Sequence, residues 1–179
     1  MNPRMVVQLI LGAVALVAGI GALAHFAGPA ITAWCTAVVA QMGLGGLYVI
    51  VVLTDPIPGP GFEPALFVGA AGGLGYGPVW AATSAGTVTS SACVWWAGRS
   101  LAGNTWLMAR LDRWKIPEFL RRHGTRALAV GAVGPFPWSL VMLGASASGV
   151  SFQAAMRGAA FRPLKVAALL GLFALGWTP

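Results

Sequence analysis

Charge is what this sequence has least of. Of its 179 residues, 8% are charged and 58% are hydrophobic, whereas a soluble domain carries about 25% charged residues. So few charges cannot cover the surface of a soluble domain, and lipid is the solvent that suits the chain. The charges are also unevenly placed, since residues 5–54, 64–98 and 127–156 hold none. A helix needs roughly 20 apolar residues to cross a bilayer, so residues 5–54 have room for two. Core helices of a soluble protein would show a polar face every 3.6 residues, and these runs show none.

Histidine and cysteine are equally scarce, with His25, His123, Cys35 and Cys93 the full complement. No metal cluster can be built from them at ordinary ligand spacings, and no cofactor is expected. Both cysteines lie in apolar stretches and read as small packing residues rather than a disulfide pair. A nucleophile–base pair is missing as well. Ser139, Ser146 and Ser148 lie in an apolar leg that neither histidine has reason to reach, so the chain is not expected to be an enzyme. No polar linker divides it. One membrane domain over 1–179 is expected, with hydrophobic helices in 1–53 and the core in 54–178.

What charge there is falls mainly in one basic block. The net charge of +7 would suit nucleic acid. However, seven of the 11 Lys and Arg lie in residues 99–126, which reads first as a cytoplasmic loop. No nucleic-acid partner is expected. Trp106, Leu107, Leu111, Trp114 and Phe119 recur there at helical spacing among basic residues, which predicts an amphipathic interfacial helix, split at Pro117.

The remaining punctuation comes from proline and glycine. Residues 5–27 predict a first helix, interrupted at Ala27-Gly28-Pro29, and 31–53 a second, ended by Thr54-Asp55-Pro56. Arg4, the apolar run and Ala22-Leu23-Ala24 also resemble a signal peptide. The run outlasts the usual apolar region of a signal and resumes at Ile31. Pro56, Pro58, Gly59, Pro60 and Gly61 exclude regular helix. Residues 62–74 make a helix of about 20 Å, too short to cross, before further glycines break the chain. Gly134, Pro135 and Pro137 cut residues 127–156 in the same way. Both broken segments read as re-entrant hairpins, tolerated only inside protein or beside a water-filled cavity. Paired interruptions of this kind point to a transporter's binding site.

Residues 79–97 are long enough to cross. Their Ser, Thr and Gly suit close helix packing or the lining of a polar cavity. The last span is expected over 154–177, with Arg157, Arg162 and Lys165 snorkelling to the interface from its start. The fold class is therefore an all-α integral membrane protein: transmembrane helices, two re-entrant hairpins and an interfacial helix. A multi-pass place in the cell (cytoplasmic) membrane follows.

Asp55 and Glu63 are the acids outside the basic block. Each flanks the first Pro/Gly turn beside apolar sequence, where a carboxylate is costly and usually functional. Apolar surroundings raise a carboxylate's pKa, which would suit proton coupling. The competing reading places both at a solvated interface, inert.

Several motifs, in order, resemble the DedA family, also called the VTT or SNARE-associated domain family. The stretch Thr54-Asp55-Pro56-Ile57-Pro58-Gly59-Pro60-Gly61-Phe62-Glu63 resembles its first re-entrant motif, with an acid, a Pro/Gly turn and a second acid. Trp95-Trp96-Ala97-Gly98-Arg99 resembles its aromatic Gly-Arg segment. Arg122-His123-Gly124 with residues 127–131 resembles the lead into its second hairpin, and residues 144–149 with Phe152 the small-residue motif after it. The resemblance covers roughly residues 50–175. It implies two re-entrant hairpins meeting near mid-membrane, with Asp55, Glu63 and Arg99 at the site. It further implies movement of a lipid phosphate, such as undecaprenyl phosphate or a phospholipid; protons as coupling partner follow from the two acids themselves. The chain departs from the family at Ala132 and Trp138, where the family carries two arginines. An arginine there would be the natural partner of a lipid phosphate. That departure favours a rival reading, a small-molecule or ion exporter on the same scaffold. A non-transporting membrane scaffold is the third.

Overall fold

A computed structural model describes residues 3–57, 61–101, 103–113, 116–123, 125–134 and 137–176. Every element among them is a helix: α1 (Pro3–Thr54), α2 (Glu63–Ala71), α3 (Tyr76–Ser100), α4 (Thr105–Arg113), α5 (Ile116–His123), α6 (Thr125–Val133), α7 (Trp138–Ala147), α8 (Phe152–Ala159) and α9 (Arg162–Gly176). Among the described residues, two stretches are long and apolar enough to cross a membrane, His25–Thr54 and Phe152–Gly176. The second is α8 and α9 taken together across the turn at residues 160–161. The 25 residues of α3 equal it in length, but hydroxyl side chains make α3 less apolar.

The expected break at Ala27-Gly28-Pro29 is not there. Helix continues through Pro29, and the non-helical position of α1 is Gly43, at φ 58° and ψ −165°. Proline in a helix interior loses one hydrogen bond and strains the preceding turn, yet the helix can run on past it. The backbone geometry at Gly43 is one that a side chain all but forbids, so the glycine marks where the two straight parts of α1 join.

α3 is the axis of the molecule. Val79, in its first half, is buried with Leu47 and Val51 of α1, Leu66 of α2, and Val166 and Leu170 of α9. Val94 and Trp95, in its second half, are buried with residues of α4 to α8. Its small residues let neighbours come close, as expected of such a helix. A Cβ on Gly86 would lie 2.8 Å from Val51 Cγ1, and one on Gly98 would lie 3.1 Å from Leu143 Cα. The Tyr48 hydroxyl donates to Thr89 Oγ1 at 3.0 Å, tying α1 to the same face. Cys35 packs in the core as expected, whereas Cys93 is exposed.

The basic stretch forms two short helices, α4 and α5. Its apolar side chains Leu111, Ile116 and Leu120 are buried in the protein core, and Ile116 closes on Gly144 of α7. The helical spacing is real, but its apolar face is met by α7. α4 ends at Arg113 and α5 begins at Ile116, so Pro117 falls in the first turn of α5, where a missing N–H costs nothing.

Candidate functional site

α1 ends where Pro56 ends it. The Asp55 N–H still closes on the Val51 carbonyl at 3.0 Å, but the residue before a proline is pushed out of helical geometry. Asp55 is thus presented just beyond the helix terminus, 6% exposed. Its partner comes from 107 residues away. Arg162, the first residue of α9, donates from Nη1 to Asp55 Oδ2 at 2.8 Å and from Nη2 to Oδ1 at 2.6 Å. This is the parallel two-bond fork that a guanidinium and a carboxylate make best.

Arg162 was expected to snorkel to an interface. It is instead 2% exposed, because the Asp55 carboxylate and two aromatic rings stand in for water. Its guanidinium carbon lies 5.4 Å from the centre of the Phe62 ring and 5.5 Å from that of Trp138. Such faces attract a cation most strongly when it is stripped of water. Trp138 is held in turn by its indole N–H, which donates to Ser91 Oγ on α3 at 2.8 Å, and Ser91 donates to the Thr87 carbonyl at 2.7 Å. One group is left over: Arg162 Nε, buried, has no hydrogen-bond partner among the described residues.

Glu63 opens α2, where a negative charge suits the positive end of the helix. Lys165 Nζ lies 3.3 Å from Glu63 Oε1 and 5.5 Å from the Phe62 ring centre. This pair is partly exposed, the Glu63 side chain by 39% and Lys165 by 22%. Gly61 sits between the two carboxylates. Its φ is +63°, and a Cβ there would lie 3.1 Å from Glu63 Oε2 and 3.6 Å from Asp55 Oδ1. Both charged pairs line one small polar cavity of about 40 Å³, with Gly61 and Phe62 on one side and Pro137, Trp138 and Ser139 on the other. The residues after the first helix interruption therefore meet the residues after the second.

The positions of Asp55 and Arg162 run against local preference. A carboxylate is disfavoured at the negative C-terminal end of α1, and a cation at the positive N-terminal end of α9. Each charge offsets the other's misplacement, so the tertiary contact, not the helices, holds them.

The expected site residues divide into three groups. Asp55, Glu63, Gly61 and Pro137 are brought together. Arg99 is not: it is exposed near the C-terminal end of α3, with its guanidinium 6.0 Å from the Trp95 ring centre, and it does not line the cavity. Pro58, Gly59, Pro60 and Pro135 lie outside the described residues, and Gly134 is a bend after α6. Sequence reasoning missed Arg162, Lys165, Phe62 and Ser139. A signal for Arg162 existed, since an arginine inside an apolar run calls for a buried acid, and Asp55 and Glu63 were the acids outside the basic block. Trp138 was singled out as the place of a missing arginine. It packs on the guanidinium that α9 supplies.

Compared with models of known families, with curated proteins and with solved structures, the chain matches none.

Proposed function

We propose that this chain is a divergent DedA-like protein of the cell membrane that carries an anionic lipid headgroup across the bilayer, with protons as coupling ion. The headgroup is the phosphate of a polyprenyl phosphate or a phospholipid. One observation carries the reading: a buried Asp55–Arg162 pair where two helix interruptions meet. As scaffold the pair is a poor choice, because a hydrophobic pair of similar volume would usually hold the fold as well. Ionisable groups kept inside apolar helices, against local preference, favour a functional role.

The chemistry follows from the fork. Asp55 occupies both terminal nitrogens of Arg162, and a phosphate offers the same pair of acceptor oxygens. Carboxylate and phosphate thus compete for one guanidinium. A proton on Asp55 removes its negative charge and frees Arg162 for the phosphate. Loss of that proton returns Arg162 to Asp55 and expels the anion. Lys165, paired with Glu63 at the more exposed side of the cavity, supplies the second cation and a second proton acceptor.

In a bilayer, α2 and α6 act as the inner legs of re-entrant hairpins. Each has nine residues, roughly 14 Å of helix against a hydrocarbon core of about 30 Å. The basic loop lies on the cytoplasmic side. The arginines absent at Ala132 and Trp138 are replaced in role by Arg162.

A second reading, export of a small solute or ion, is favoured by the size of the cavity. At about 40 Å³ it has room for one or two waters, not for a closed-in headgroup. Reconstitution into proteoliposomes separates the two. Proton-dependent flipping of a labelled polyprenyl phosphate, lost in Arg162→Gln, is the expected result. Solute flux without flipping would replace it with the second reading. Inactivity in both assays would leave a scaffold.

A further inference from the structure

The polar cavity does not stand alone. A larger apolar cavity of about 210 Å³ adjoins it and shares Ile57 and Gly61 with it. A third cavity of about 180 Å³, also apolar, shares Ile50, Pro64 and Ala65 with the second and reaches Trp34, Val38 and Gly43. The three make one track between α1 and α2. It runs from the buried guanidinium, past Gly61, along the helix pair to the place where α1 departs from helix. Gly43 lines the far end, so the break in α1 is part of the groove wall.

We infer that this track holds the single hydrocarbon chain of an anionic amphiphile drawn from the surrounding lipid, with its headgroup at Arg162 and Lys165. The inference rests on the reading above for the headgroup and adds the binding of the tail. Three features support this occupant. The groove shares Ile57 and Gly61 with the charged cavity, so a chain lying in the groove brings its headgroup to that cavity's mouth. Arg162, which lines its polar end, keeps a buried Nε donor without a partner among the described residues, which calls for an acceptor oxygen. The walls away from that end are almost wholly apolar side chains, which suits a chain and excludes a polar solute. Gly61 is the gate between the two compartments, because a Cβ there would crowd Glu63 and approach Asp55.

The test is binding of butyl, octyl and hexadecyl phosphate, with hexadecanol as the uncharged control, to the full chain in a non-ionic detergent. Affinity should rise with chain length by up to about fourfold for each methylene buried. Val38→Trp and Met42→Trp each fill the cavity farthest from the charged pairs. Both should flatten the dependence on length, weakening hexadecyl phosphate far more than butyl phosphate. The inference is overturned if the length dependence is the same in parent and both variants, since partition into detergent then explains it. It is also overturned if affinity does not rise with length. Failure of the headgroup reading shows separately, as hexadecanol binding as tightly as hexadecyl phosphate and no effect of Arg162→Gln.

Discussion

Asp55 and Arg162 each sit at the helix end that disfavours their charge, and each is nearly excluded from solvent. Removing one partner leaves the other buried and uncompensated. Arg162→Met should therefore lower unfolding stability by about 3–5 kcal/mol, measured by denaturant titration in detergent. Replacing both, as Asp55→Leu with Arg162→Met, should restore most of that stability without restoring transport. A double variant as unstable as the single would mean that the pair is scaffold and not function. Glu63 and Lys165 give the opposite forecast for stability. Their contact is partly exposed and contributes roughly 0–1 kcal/mol, so Glu63→Gln should fold and insert as the parent does. Flipping by Glu63→Gln should nevertheless fall sharply and lose its pH dependence, while Glu63→Asp keeps part of it. Full activity of Glu63→Gln at matched expression would leave Asp55 as the sole coupling acid.

Helices approach one another here at glycines, and the glycines are not alike. A Cβ on Gly158 would lie 2.5 Å from Leu128 Cβ, and one on Gly86 would meet Val51. Gly158→Ala and Gly86→Ala should each cost about 1–3 kcal/mol, the usual penalty for overpacking a close contact. Gly45 has nothing within 4 Å of a Cβ, and alanine is the better helix former by up to about 1 kcal/mol. Gly45→Ala should be neutral or stabilising in the same titration. A loss at Gly45 equal to that at Gly158 would show that the helix contacts described are not the ones that limit stability. Gly61 belongs to neither class. Its left-handed φ costs an L-residue about 1–2 kcal/mol, and its Cβ would crowd the cavity. Gly61→Ala should lose activity beyond its loss of stability.

For the whole molecule, the proposed orientation rests on where the basic residues fall. With residues 99–126 cytoplasmic, α3 would enter from outside and the proposed first hairpin would open outward. Among the described residues α1 offers one span, His25–Thr54; with its C-terminal end outside, its N-terminal end is cytoplasmic, the side Arg4 prefers. In a variant with Cys35→Ala and Cys93→Ala, a cysteine placed at the exposed Arg122 should resist an impermeant thiol reagent in intact cells. Permeabilised cells should label fully. Labelling in intact cells would invert the topology and place the basic block outside.

Residue type and spacing were enough to read an all-helical chain, the end of α1 at Pro56, the shortness of α2 and α6, and Asp55 and Glu63 as the acids to watch. These are local properties: proline geometry, charge scarcity and run length act within a few residues of where they are read. Whether Ala27-Gly28-Pro29 or Gly43 would interrupt α1 was not legible, because a proline weakens a helix locally but does not always end it. Nor was the fate of the basic stretch, since an amphipathic face looks the same whether lipid or α7 covers it. Arg162 is the sharpest case. By itself it is an arginine at the start of an apolar helix, free to reach an interface. Packing of α9 against α1 brings Asp55 to it across 107 residues and sets the Phe62 and Trp138 rings against its guanidinium. Only that assembly removes water from the guanidinium and makes the carboxylate its partner. The sequence by itself determined which groups could be charged inside the apolar helices. Tertiary structure decided which of them meet, because a buried charge pair depends on distance and desolvation, and neither is written in residue order.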